Sequence, residues 1–168
     1  MLQIIKVNPD DNKLIYFLYE FLKSSCENYK ELSFNDFNKC RNSIFIVIDL
    51  SNKLNNIIAL IGCHRVTMDD IGVEALSYYC QPNYLMYEIS FLHFDDSYTT
   101  YNRQEYVKSI ITQLIKECIA DKNDGFISYK PYCPNNTKYE FHDILINIGF
   151  EQVNFKDIMQ YIKKPTTM

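Results

Sequence analysis

A chain of 168 residues has the length of one ordinary domain and on folding buries about 70 % of its unfolded surface. Its composition is globular, and a net charge of −4 with a pI near 5.4 argues against nucleic acid or an anionic membrane as the main partner. No basic N-terminal region leads into an apolar run, and no apolar stretch approaches the about 18 residues needed to cross a bilayer, so a cytoplasmic protein is expected.

Residues 3–7 (QIIKV) read as a short strand ended by NPDD. Leu14, Ile15, Phe17, Leu18, Phe21 and Leu22 then recur at helical spacing, which predicts a helix over about 12–30. Ser33 opens an S-x-x-D capping pattern and a second, shorter helix. SIFIVIDL (43–50) is continuously apolar and β-branched, as a strand buried on both faces is. With IIALIGCHRV (57–66) across the polar SNKLNN turn, it predicts an antiparallel hairpin. Residues 67–83 read as loop.

YLMYEISFLHF (84–94) is the most strand-like segment of the chain. A polar loop follows, then a helix with Val107, Ile110, Ile111, Leu114, Ile115, Cys118 and Ile119 on one face. GFISYKPY (125–132) predicts the next strand. Thr137 and Glu140 form a T-x-x-E box before the last helix, with Gly149 as its C-cap. The tail FEQVNFKDIMQYIKK suggests two more short strands. The expected fold is a single α/β (α+β) domain over 1–168, with one mixed, mostly antiparallel sheet flanked by helices. The strand, helix, strand crossover around 84–132 implies a parallel pair.

Three features carry chemistry. The helix start after the 97–103 loop is a natural anion site, with free N–H groups and the dipole directed outward. Asn102 and Glu105 form an N-x-x-E box that satisfies two of those donors internally. Glu88 stands in a strongly apolar strand, where a carboxylate either faces solvent or pairs with a Lys, or is held as a base with its pKa pushed up by burial. The three histidines (His64, His93, His142) and six scattered cysteines show no ligand spacing, so no metal is expected, and buried reduced thiols are the plain reading.

The element order resembles the GNAT superfamily of acyl-CoA-dependent N-acyltransferases. YEISFLHF resembles that family's fourth strand, NNIIALIGCHRV its third with Gly62, ILINIGFEQV the end of its last helix, and MQYIKK its terminal strand. The resemblance implies direct acetyl transfer from acetyl-CoA to an amine of a small molecule or protein, with Glu88 as general base and no metal. A backbone N–H of the same strand would polarise the thioester carbonyl. It implies cofactor contacts along Phe91, Leu92, His93, Phe94 and Asp95 for the pantetheine, and at Thr100, Asn102, Arg103, Gln104 and Lys108 for the pyrophosphate. Tyr78, Tyr84 and Tyr129 fall around the expected acceptor cleft, in a monomer or homodimer.

Two positions depart from the family pattern. The pyrophosphate loop carries no glycine, and Glu105 would bring a carboxylate near the phosphates. Leu145 stands where a tyrosine general acid is usual. The alternative reading is therefore a GNAT-like binding or interaction module that has lost its cofactor.

Overall fold

The computed structural model describes residues 2–51, 56–67, 85–95, 103–131, 139–155 and 158–166. In chain order these form β1 (Leu2–Lys6), α1 (Asn12–Ser25), α2 (Phe34–Asn38), β2 (Ile44–Asp49), β3 (Ile57–Val66) and β4 (Met86–Phe94). After them come α3 (Arg103–Ile119), β5 (Phe126–Tyr129), α4 (His142–Ile148), β6 (Glu151–Phe155) and β7 (Ile158–Lys163). The strands make one mixed sheet in the order β1-β2-β3-β4-β5-β7-β6. β1–β2, β2–β3, β5–β7 and β6–β7 pair antiparallel, and β4–β5 pair parallel, as the crossover through α3 requires.

The chain divides into two compact units, Met1–Cys63 with Ser90–Cys118 and His64–Ile89 with Ile119–Met168. Both changes of unit fall inside strands, within β3 and within β4, so no linker composition marks them in the sequence.

In the first unit α1 buries Ile15, Leu18, Tyr19 and Leu22 in a core with Val7, Phe37, Ile44, Ile46, Leu60 and Phe91. The helix starts where Asp11 Oδ1 accepts from the Leu14 N–H at 3.1 Å. It ends at Ser25, short of the expected 30, and Glu27–Tyr29 follow as a 3₁₀ turn. Tyr29 lies seven residues beyond Leu22 and so continues the apolar stripe in the sequence. Its burial comes from a long-range contact described below. α2 begins as its S-x-x-D pattern predicts, with Ser33 Oγ accepting from the Asp36 N–H at 3.1 Å.

Gly62 has a steric reason. A Cβ built there runs into the Phe91 ring, which is itself stacked on Phe37 with centroids 4.7 Å apart and planes 9° apart. Neither ring has room to retreat, because both are fully buried.

In the second unit β5 is buried at all four positions. Met86, Phe126, Ile162 and Val66 form its small apolar cluster, with Val153 against it. Here α4 corrects an expectation: it starts after Phe141, which makes no side-chain cap, so a T-x-x-E box does not open it. Glu140 is exposed ahead of the helix, and Thr137 lies outside the described residues. The predicted stop holds. Gly149 takes φ +114°, its N–H reaches Ile146 C=O, and Phe150 N–H reaches Leu145 C=O at 3.0 Å, a paired closure that needs a left-handed residue.

Replacing Gly62 by alanine is expected to overpack the Phe91–Phe37 stack. Urea denaturation will show stability lower by about 1–3 kcal/mol with an unchanged m-value.

Candidate functional site

Strand β4 holds the carboxylate singled out in the sequence. Glu88 is half-buried and pairs in register with Ser128 of β5. The parallel ladder covers only Met86–Ile89 against Phe126–Tyr129, because β5 has four residues and β4 nine. Past Ile89, β4 runs on to Phe94 without that partner.

The strand also changes the direction of its peptide groups. Leu85 C=O accepts from the Phe126 N–H of β5 at 2.9 Å, whereas Asp95 N–H donates to Ile58 C=O of β3 at 2.7 Å. Residues an even number apart face the same edge of a regular strand, so one residue of irregularity, a bulge, lies between them. Leu92, three residues before Asp95, faces away from β3. There its N–H donates to the Tyr29 hydroxyl at 3.0 Å, and the same hydroxyl donates to Leu92 C=O at 3.3 Å. Tyr29 is 3 % exposed. One side-chain hydroxyl thus satisfies both backbone polar groups of a buried residue.

The side chains expected along the cofactor are largely inside. Phe91, Leu92 and Phe94 are buried, and His93 is half-buried with its ring edge-on to Phe21 at 6.2 Å. Asp95 is half-buried. What this stretch offers a ligand is therefore backbone rather than side chain. At the start of α3, Gln104, Glu105 and Lys108 are exposed. Lys108 lines a shallow groove of about 390 Å³ with Glu105, Thr112 and Lys116, which gives it one carboxylate and two cations. Arg103 opens the helix. Thr100, Asn102, Tyr78 and Tyr84 lie outside the described residues.

Tyr129 is 1 % exposed, and its hydroxyl lies 2.8 Å from that of Tyr139, whose ring stands edge-on to it. Beside them Tyr161 Oη lies 2.8 Å from His142 Nδ1. Tyr129 is thereby tied into a buried aromatic group. Leu145, at the position of the usual general acid, is fully buried.

Three residues escaped the sequence reading: Tyr29, Ser128 and Gln160. Ser128 and Gln160 are polar residues inside apolar strand segments, FISY and IMQYIK, and that interruption is the signal that marks them. Among the described residues no group of His, Cys, Asp and Glu is arranged to hold a metal ion, and no helix is long and apolar enough to cross a membrane.

The whole chain superposes on solved acetyltransferases. The NatC complex bound to a Gag peptide and CoA matches over 98 % of this chain and 99 % of that chain, with a TM-score of 0.65 and 12 % identity. The fold is that of the GNAT N-acyltransferases. The mosquito arylalkylamine N-acetyltransferase like 5b matches this GNAT fold over 98 % and 100 % of the two chains, at a TM-score of 0.63 and 10 % identity. Aminoglycoside 6′-acetyltransferase type Ii does so over 96 % of each chain, at 0.55 and 13 %. No family model matches the sequence, and the search of curated proteins finds no match. At such identities the likeness concerns architecture, and the GNAT frame leaves the chemistry to this chain's own residues.

Tyr29→Phe is expected to leave a buried N–H and C=O unpaired at Leu92, lowering stability by about 1–3 kcal/mol. Native-state hydrogen exchange, read by NMR, will show the Leu92 amide losing protection more than its neighbours.

Proposed function

We propose that this protein is an acyl-CoA-dependent N-acyltransferase, with acetyl-CoA as donor and an amine as acceptor. Strand β4 carries the reading. It sets a half-buried carboxylate at Glu88 within the β5 ladder and, past the ladder's end, directs the Leu92 peptide groups onto a neutral hydroxyl. A thioester carbonyl oxygen is an acceptor of the same kind as that hydroxyl and can replace it at the Leu92 N–H. The N–H then polarises the carbonyl and stabilises the negative charge that develops on its oxygen.

Glu88 removes a proton from the acceptor amine. The freed nitrogen pair forms the C–N bond as the C–S bond breaks, and the thiolate leaves and is protonated. The pantetheine would follow the backbone of 91–95. The pyrophosphate would lie near 98–108, where the exposed Gln104 and Lys108 can serve it and Glu105 opposes it. The fit is therefore better on the strand than at the helix.

A second reading, a GNAT-like interaction module without cofactor, is favoured by the same Tyr29–Leu92 pair, since the hydroxyl already holds the groups a thioester would use. Titration of acetyl-CoA against thermal stability separates the two readings. Ligand at about a hundred times its Kd adds ~2.7 kcal/mol, which is readily seen in a melt. A saturable rise is expected, with Glu88→Gln keeping the rise and losing acetyl transfer by about 10²-fold or more. A folded protein with no rise sinks the enzyme reading. Because Tyr29 competes for Leu92, Tyr29→Phe should bind acetyl-CoA more tightly than the parent by calorimetry.

A further inference from the structure

We propose that Ser128 and Gln160 form, beside Glu88, a recognition site for the acceptor. Its ligand is a primary amine with a carbonyl or hydroxyl oxygen a few bonds away, as in an aminoacyl amide or an amino alcohol, in preference to a plain alkylamine. The site rests on the acyl-transfer reading for the role of Glu88.

The register brings the three side chains to one face. Glu88 of β4 is paired with Ser128 of β5, and Ser128 with Ile162 of β7. Gln160 precedes Ile162 by two residues and so points to the same side. The surroundings on that face are apolar, with Met86 two residues from Glu88, Phe126 two residues from Ser128, and Ile162.

Ser128 and Gln160 are each 2 % exposed, and among the described residues neither Ser128 Oγ nor Gln160 Nε2 has a hydrogen-bond partner. Folded proteins pair nearly all their buried polar groups, and a hydroxyl and an amide nitrogen without partners cost free energy that a Val or Leu would save. Two such groups on adjacent strands, next to a carboxylate, mark a place where stability is given up for a ligand.

Their chemistry defines that ligand. The carboxylate of Glu88 takes a cationic or N–H donor. Gln160 Nε2 only donates, so it asks for an oxygen acceptor. Ser128, on the strand between them, donates or accepts. Strands β4 and β7 stand about 9–10 Å apart, two strand spacings, and Gln160 lies two residues, about 7 Å, along β7 from the Glu88–Ser128–Ile162 row, so the Glu88 and Gln160 Cα atoms are about 12 Å apart. Side chains of this length that lean toward each other over the face leave a gap for a short ligand, its amine nitrogen and acceptor oxygen a few bonds apart.

The test compares glycinamide, ethanolamine and propylamine as acceptors, by direct binding in a thermal-shift titration and by acetylation with acetyl-CoA. Glycinamide or ethanolamine should bind at least tenfold more tightly than propylamine. Gln160→Leu and Ser128→Ala should each shrink that preference, with acetyl-CoA binding unchanged and with a melting temperature equal to or above the parent's. Should Gln160→Leu fail to fold, Gln160→Met and Ser128→Ala carry the comparison. No preference for the oxygen-bearing amines, or a preference surviving both substitutions, overturns the site. So does a clear fall in melting temperature in both variants, since the groups would then be structurally paired. If acetyl-CoA does not bind but the amines show this pattern, acyl transfer falls and the site stands. If acetyl-CoA is turned over without the pattern, the site falls and acyl transfer stands.

Discussion

A residue buried in an apolar interior must have its N–H and C=O bonded, and in this chain that constraint bears on Leu92. Strand β4 is more than twice as long as β5, so its later residues lose the neighbour that holds the earlier ones. A bulge then turns Leu92 away from β3. The Tyr29 hydroxyl closes the gap, accepting from the N–H and donating to the C=O. The chain leaves α1 at Ser25, and the 3₁₀ turn that follows carries Tyr29. The first unit's core is assembled around the same place, with Phe91, the residue before Leu92, pressed between Gly62 and Phe37.

The same local economy has a functional side. A carbonyl oxygen can replace the hydroxyl as acceptor at the Leu92 N–H, but it has no proton to donate and leaves the Leu92 C=O without the hydroxyl's hydrogen bond. A β4 backbone closed by a side chain is thus both a stable resting arrangement and a site that a ligand can take over, at the cost of moving one tyrosine and of its bond to the Leu92 C=O. In the second unit the balance is the opposite. Tyr129 with Tyr139 and His142 with Tyr161 are mutually paired, whereas Ser128 Oγ and Gln160 Nε2 have no partner among the described residues. Fully paired buried polar groups fix a fold, and unpaired ones point to chemistry that comes from outside it.

Much of the architecture was legible in the residues. The continuous apolar run of β2, the periodic face of α3, the Ser33 cap and the glycine at 149 are local signals, and each element stands where its signal lies. The helix around 142 was legible but its start was not: Phe141 takes the capping position without offering a side-chain acceptor. Tyr29 misled for a related reason, since an aromatic residue at helical spacing looks like more helix until a strand 63 residues away claims its hydroxyl.

The candidate site was legible in part. Glu88 announced itself as a charge in an apolar strand, but its neighbours did not. The sequence by itself determined the order and kind of the elements, because helical and strand periodicity, caps and turns are set by residues within a few positions of one another. Only the tertiary structure decided that Ser128 and Gln160 share a face with Glu88, and that Tyr29 meets Leu92. Those pairings depend on strand register and on where β5 ends, both fixed by burial between segments distant in the chain.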